Sequence, residues 1–209
     1  MKDQIIQRIL DEKIFAVLRL KDTSTVEKFV EKIIAGGITI IEVTLNSGNA
    51  LDVIERLVHT FPKCLIGAGT VIGKRDAESA VAAGAKFLVS PVVDSKMIRI
   101  AHENDLAAFS GAFTPTEVHE AQSLGADFVK IFPLAGIGPS YIKALRGPLP
   151  NVRYVATNGV TLDNLPEFFA AGCSAIGLGS ALITDEDVEK NNFDEVNART
   201  QEAVRGVML

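Results

Sequence analysis

Apolar positions along this chain follow two different periods, and the two take turns. One unit recurs: a helical stretch with apolar residues three and four apart, a glycine, then a short apolar run. It appears as IIAGGITIIEVT at 33–44, VAAGAKFLVS at 81–90, QSLGADFVKIF at 122–132 and FAAGCSAIGLG at 169–179. The glycine suits a helix end that needs left-handed backbone, and the apolar run that follows opens a strand. IFAVLR (14–19), CLIGAGT (64–70) and RYVATN (153–158) occupy equivalent places, and LAAFSG (106–111) is a weaker eighth. Between the runs, Val26, Val30, Ile33 and Ile34, then Leu51, Ile54, Leu57 and Val58, are expected to form buried helix faces.

Strands that alternate with helices pair in parallel through right-handed crossovers. Eight such units predict an α/β fold, a compact (β/α)8 TIM barrel, with residues 1–209 as one barrel domain. An open doubly wound sheet is the alternative. The barrel is preferred because the units number eight. In addition, GAGTV and GLGSA lack the last glycine of a dinucleotide fingerprint. Residues 1–13 predict an extra N-terminal helix across the bottom of the barrel, and 186–209 a closing helix of mixed polarity.

Bulk properties narrow the partners. A net charge of −5 without any basic block argues against nucleic acid or an anionic membrane and points to a small-molecule partner. No apolar run reaches the length of a membrane span, and MKDQIIQRILDEK has no signal-like apolar core, so a cytoplasmic location is expected. Cys64 and Cys173 sit in apolar segments without metal-ligand spacing and read as buried free thiols. His59, His102 and His119 lie on stretches that read as helix surface, none with a second ligand three or four residues away. No metal and no cofactor are therefore expected.

Two charges stand where a barrel strand should have none. The second strand reads Ile40-Ile41-Glu42-Val43-Thr44 and the sixth Phe128-Val129-Lys130-Ile131-Phe132. Side chains alternate along a strand, so Glu42 shares a face with Ile40 and Thr44, and Lys130 with Phe128 and Phe132. The opposite faces are aliphatic and suit packing against helices. Both charges should therefore point into the barrel near its C-terminal mouth, where barrel enzymes keep their chemistry. A buried ion pair with no chemical role is the alternative, but desolvation makes such pairs weak stability devices. An amine in an apolar pocket sheds its proton more readily than in water, and an uncharged amine is the nucleophile that makes a Schiff base with a ketone. A nearby carboxylate can shuttle protons.

Arg19 closes the first strand at the same mouth and could receive a carboxylate or phosphate. Thr157-Asn158-Gly159-Val160 follows strand seven and Gly177-Leu178-Gly179-Ser180-Ala181 follows strand eight. Loops at these two places bind phosphate in many barrels, through glycine backbone N–H groups and the start of a short helix. Thr70, in Gly67-Ala68-Gly69-Thr70-Val71, stands at the mouth of strand three, free to bond a carboxylate.

These segments together resemble one family nearly end to end. AVLR, IEVTL, IGAGTV, SP after strand four, TPTE at 114–117, VKIFP, GPLPNVRYVATNGV and GLGSAL are similar to the aldolases for 2-keto-3-deoxy-6-phosphogluconate and 4-hydroxy-2-oxoglutarate. The resemblance implies a metal-independent class I aldolase, commonly a homotrimer, acting on a phosphorylated 2-oxo acid. It implies that Lys130 is the Schiff-base lysine, Glu42 the proton shuttle and Thr70 a pyruvate ligand. Pro91 and Phe132 would join the substrate-binding set, and 157–160 with Gly179 and Ser180 would be the phosphate turns. The chain departs from the family's arginine at Asn46, from a glycine at Val92, and from TGGV at Asn158. Two other readings stand beside this one: a sugar-phosphate isomerase or decarboxylase barrel, and a non-catalytic ligand-binding barrel derived from an aldolase.

Overall fold

The computed structural model describes residues 1–207. Eight strands close into one all-parallel barrel in chain order. They are β1 Ile14–Leu18, β2 Ile40–Thr44, β3 Leu65–Gly69, β4 Phe87–Val89, β5 Ala107–Ala112, β6 Phe128–Ile131, β7 Tyr154–Thr157 and β8 Ala175–Leu178. The helices are α1 Lys2–Glu12, α2 Val26–Gly36, α3 Ala50–Thr60, α4 Gly73–Ala82, α5 Ser95–Glu103, α6 Pro115–Ser123, α7 Ser140–Arg146, α8 Leu165–Ala171, α9 Asp185–Lys190 and α10 Phe193–Val207. The predicted (β/α)8 TIM barrel with an added N-terminal helix is the observed fold.

The repeating glycine does what the pattern implied. Gly37 (φ 107°) and Gly172 (φ 102°) end α2 and α8 in left-handed backbone, donating N–H bonds back to the last helical carbonyls. The strands then begin within a few residues. Alternation divides each strand between two cores. Ile41, Val43, Val129 and Ile131 face the helices, while Phe15, Ile40, Phe87, Phe109 and Phe128 fill the barrel.

Small residues make room for the large ones inside. A side chain at Gly67 would begin 2.5 Å from the Phe87 ring, and one at Gly177 would begin 2.7 Å from the Phe15 ring. Phe109 and Phe128 stack with centroids 4.5 Å apart, and Phe15 meets Phe87 and Phe109 edge-on. From below, Ile5, Ile6 and Ile9 of α1 pack on this cluster. The lower barrel is thus a packed aromatic floor under the mouth.

Three expectations need correction. The closing segment is two helices rather than one, because Asn191 adopts left-handed backbone (φ 54°) and ends α9; its last two positions lie outside the described residues. Leu51 is exposed rather than buried, since the inner face of α3 is Ala50, Val53, Ile54 and Leu57. Cys64 is half-buried, at the strand entrance, whereas Cys173 is buried. Among the described residues no helix is long and apolar enough to cross a membrane.

Candidate active site

Strand parity brings the two misplaced charges together. Val17 pairs with Glu42 across β1 and β2, and Lys130 pairs with Val155 across β6 and β7, so both charges rise one layer above the aromatic floor. Lys130 Nζ lies 3.9 Å from Glu42 Oε1. That is too long for a hydrogen bond. Glu42 is completely buried, and among the described residues neither of its carboxylate oxygens has a hydrogen-bond partner. An ion pair kept for stability would satisfy those oxygens, since buried polar groups are bonded in the great majority of cases. Here the carboxylate is left available.

Burial raises the Glu42 carboxyl above its usual range, and the positive charges of Lys130 and Arg19 pull it part of the way back. Space for the carboxylate comes from Gly69, whose hydrogen leaves a gap that Glu42 fills. Lys130 Nζ also sits 5.6 Å from the Phe132 ring centre. Phe132 follows β6 and is joined to Pro133 by a cis peptide bond.

Above this pair opens a cleft of ≈ 280 Å³. Of the residues singled out in the sequence, the cleft gathers Arg19, Lys130, Phe132, Thr157, Asn158, Gly159, Gly179 and Ser180. Glu42 lies beneath, sealed from solvent. Thr70 and Pro91 are not among the lining residues. Thr70 sits at the end of β3 in left-handed backbone (φ 57°), and the Pro91 backbone closes over Gly111. Asn46 is exposed outside the lining.

The cleft also takes in Val160 of the predicted turn, together with Val17, Ile183, Thr184 and Asp185, which the sequence did not single out. Asp185 comes from the turn after β8, and the fold alone carries it there. That turn differs from the expected form. Leu182 and Ile183 N–H groups donate to the Gly179 carbonyl at 2.8 and 3.1 Å, and helix α9 begins only at Asp185.

Thr157 Oγ1 is buried in the cleft wall with no partner among the described residues, a second polar atom left available. Asn158 is held at φ 64° with its Oδ1 accepting from the Ala135 N–H at 3.2 Å. Asparagine tolerates that backbone well. Its side chain therefore ties the β7 turn to the loop after β6.

Burial pushes the Cys173 thiol up to about 12. His102 bonds Asp127 at 3.0 Å, far from the mouth at the entrance to β6. Among the described residues, no three His, Cys, Asp or Glu side chains converge to hold a metal.

Residues 5–199 fit the family model of the KDPG and KHG aldolases. The chain belongs to that family. It is a lyase, a class I aldolase of the Schiff-base type. The aldolase is 37% identical over 182 residues to a probable 2-dehydro-3-deoxy-6-phosphogalactonate aldolase of Rhizobium meliloti, covering 86% of each chain. It is 30% identical to the 2-dehydro-3-deoxy-phosphogluconate aldolase of Pseudomonas aeruginosa, over 93% of this chain and 89% of the other. Its fold superposes with a TM-score of 0.87 on the KDPG aldolase of Legionella pneumophila, 28% identical, with 95% and 97% of the two chains covered. That structure holds pyruvate as a covalent carbinolamine intermediate.

Proposed function

We propose that this aldolase cleaves 2-dehydro-3-deoxy-6-phosphogluconate, or the phosphogalactonate acid that differs in configuration at C4, to pyruvate and glyceraldehyde 3-phosphate. 4-Hydroxy-2-oxoglutarate, giving pyruvate and glyoxylate, is the unphosphorylated candidate substrate. The observation that carries this reading is the Lys130–Glu42 pair, buried and 3.9 Å apart, on the floor of a cleft whose rim offers Arg19 and two glycine turns.

The uncharged Lys130 amine attacks C2 of the 4-hydroxy-2-oxo acid, and loss of water leaves an iminium that serves as the electron sink. Glu42 takes the C4 hydroxyl proton. The C3–C4 bond breaks, the aldehyde departs and its bonding electrons form an enamine on Lys130. Glu42 returns the proton to C3, and water hydrolyses the resulting iminium to pyruvate and free Lys130. A carboxyl raised by burial suits this two-way traffic, because its affinity for the proton lies closer to working pH. Arg19 pairs with an anionic end of the substrate, and Thr157 Oγ1 bonds a substrate oxygen. The turns at 157–159 and 179–180 hold the phosphate, whose binding aligns the scissile bond. Thr70, Pro91 and Phe132 complete the pyruvate end.

We take residues 1–209 to act as one barrel domain, working in the cytoplasm as a homotrimer, on the strength of the family resemblance. The test is a panel of 4-hydroxy-2-oxo acids, with and without phosphate, assayed for pyruvate release, alongside borohydride reduction in the presence of pyruvate and intact mass. A pyruvyl adduct on the wild type that is absent from Lys130→Ala supports the reading. Turnover with no trappable adduct overturns it.

A further inference from the structure

The cleft holds a charge that an anion-binding site does not call for. Among the described residues lining it, Asp185 is the one carboxylate, and it stands in the wall with Gly179, Ser180 and Thr184. A phosphate seated on the two glycine turns would lie beside it. Like charges in one pocket repel and act against the ligand that carries them.

Asp185 is not left alone. Its Oδ1 accepts from the Lys21 backbone N–H at 3.3 Å, and its Oδ2 lies 3.7 Å from Lys21 Nζ. Lys21 follows Arg19 by two residues and lies just outside the cleft lining, reaching it through Asp185. The Lys21 side chain is 91% exposed and that of Asp185 is 43% exposed. An ammonium on a long, exposed stem holds its partner loosely and reorients at little cost. The backbone bond keeps Asp185 in place whichever way the ammonium turns.

Counting charges sharpens the point. A phosphorylated 2-oxo acid brings two anionic ends, its carboxylate and its phosphate. Lys130 is committed to the carbonyl carbon. Among the described residues Arg19 is the one arginine in the lining, and it serves one end. A further cation would strengthen the hold of the glycine turns on the second end, and Lys21, resting on Asp185 of the cleft wall, is placed to supply it while already neutralising the carboxylate that would oppose it.

We propose that Lys21 and Asp185 form a charge pair that sets selectivity at the distal end of the cleft, with Lys21 passing from Asp185 to the substrate phosphate. Asp185 acts as the counterweight: it holds the cation when no phosphate is bound and discriminates against a phosphate when Lys21 is missing. This inference rests on the reading that the cleft takes a phosphorylated acid.

The experiment is the ratio of kcat/KM for 2-dehydro-3-deoxy-6-phosphogluconate over that for its dephosphorylated form, measured for wild type, Lys21→Gln, Asp185→Asn and the double variant. A ratio is unaffected by the fraction of correctly folded protein. Lys21→Gln is expected to lower it by about fivefold, the scale of one exposed ion pair. Asp185→Asn is expected to raise it, and the double variant to recover part of the loss caused by Lys21→Gln. Shifts of both single variants in the same direction, or a wild-type preference for phosphate that survives both substitutions, overturn this proposal alone. A wild type with no preference for the phosphorylated acid overturns the phosphate reading and this proposal with it.

Discussion

The carboxylate of Glu42 occupies the space in which a side chain at Gly69 would begin. Strands β2 and β3 pair Thr44 with Gly69 and Glu42 with Gly67, so the residue at 69 faces the barrel beside the carboxylate. The glycine is therefore part of what aims Glu42 toward Lys130.

Replacing that glycine tests the geometry. Gly69→Ala forces Glu42 aside within a packed interior. A displacement near 1 Å at a reacting group costs on the order of a hundredfold in rate, and overpacking costs about 1–3 kcal/mol in stability. We expect kcat to fall far more than the pyruvyl adduct yield under borohydride. Wild-type kcat in Gly69→Ala would refute the positioning role.

Glu42→Gln separates proton transfer from binding. The amide retains shape and leaves Lys130 in place, so the borohydride adduct should form. Turnover should fall by about 10²–10⁴-fold, the usual share of a general acid–base group. In the wild type, kcat/KM should decline toward acid with a limb above the ordinary carboxylate range, because burial raises the Glu42 carboxyl. The residual rate of the variant should lack that limb. A limb that persists in Glu42→Gln would assign it to another group.

The same burial carries a stability consequence. The folded state holds the Glu42 proton more tightly than the unfolded chain does, so Glu42's favourable contribution is complete below its ordinary value of 4.5. It is lost as pH rises through the raised folded value. Glu42→Gln, with no proton to lose, should therefore melt higher than wild type at neutral pH, by about 2–4 °C for each kcal/mol on a chain of this size. The gap should close below pH 4.5. Thermal scans across that range check it, and a variant that melts lower at pH 7 would show the ionised pair to be stabilising.

Asn158 offers a milder probe. Asn158→Gly keeps left-handed backbone but removes the bond to the Ala135 N–H, freeing the loop after Phe132. Substrate KM should rise by about threefold to tenfold, in line with one hydrogen bond of roughly 0.5–1.5 kcal/mol. Asn158→Ala should be worse, since alanine pays the backbone strain as well. Steady-state kinetics on both variants distinguish loop anchoring, with Ala below Gly, from a purely steric effect of the side chain, in which Gly improves binding.

Much of this architecture was legible in the order of residues. Four glycine-marked junctions located strands β2, β4, β6 and β8, because a left-handed helix end followed by a β-branched run is a local requirement. Alternation within five residues was enough to send Glu42 and Lys130 inward, because a strand has only two faces. The 186–209 segment was misread because nothing apolar changes at Asn191; the break is a backbone event in a polar stretch. Leu51 was misread because an apolar residue at a helix start satisfies the same spacing whether it faces the core or solvent.

The sequence by itself determined the number of strands, the direction of two buried charges and the chemistry they can perform, since each depends on neighbours within a turn or a strand. Only the tertiary structure decided which residues meet. It left both Glu42 oxygens without partners among the described residues and pressed Gly69 against them. It brought Asp185, with Lys21 on it, into the cleft wall. These outcomes depend on barrel closure, which puts β1 next to β8 across most of the chain's length, and no local pattern encodes a contact at that separation.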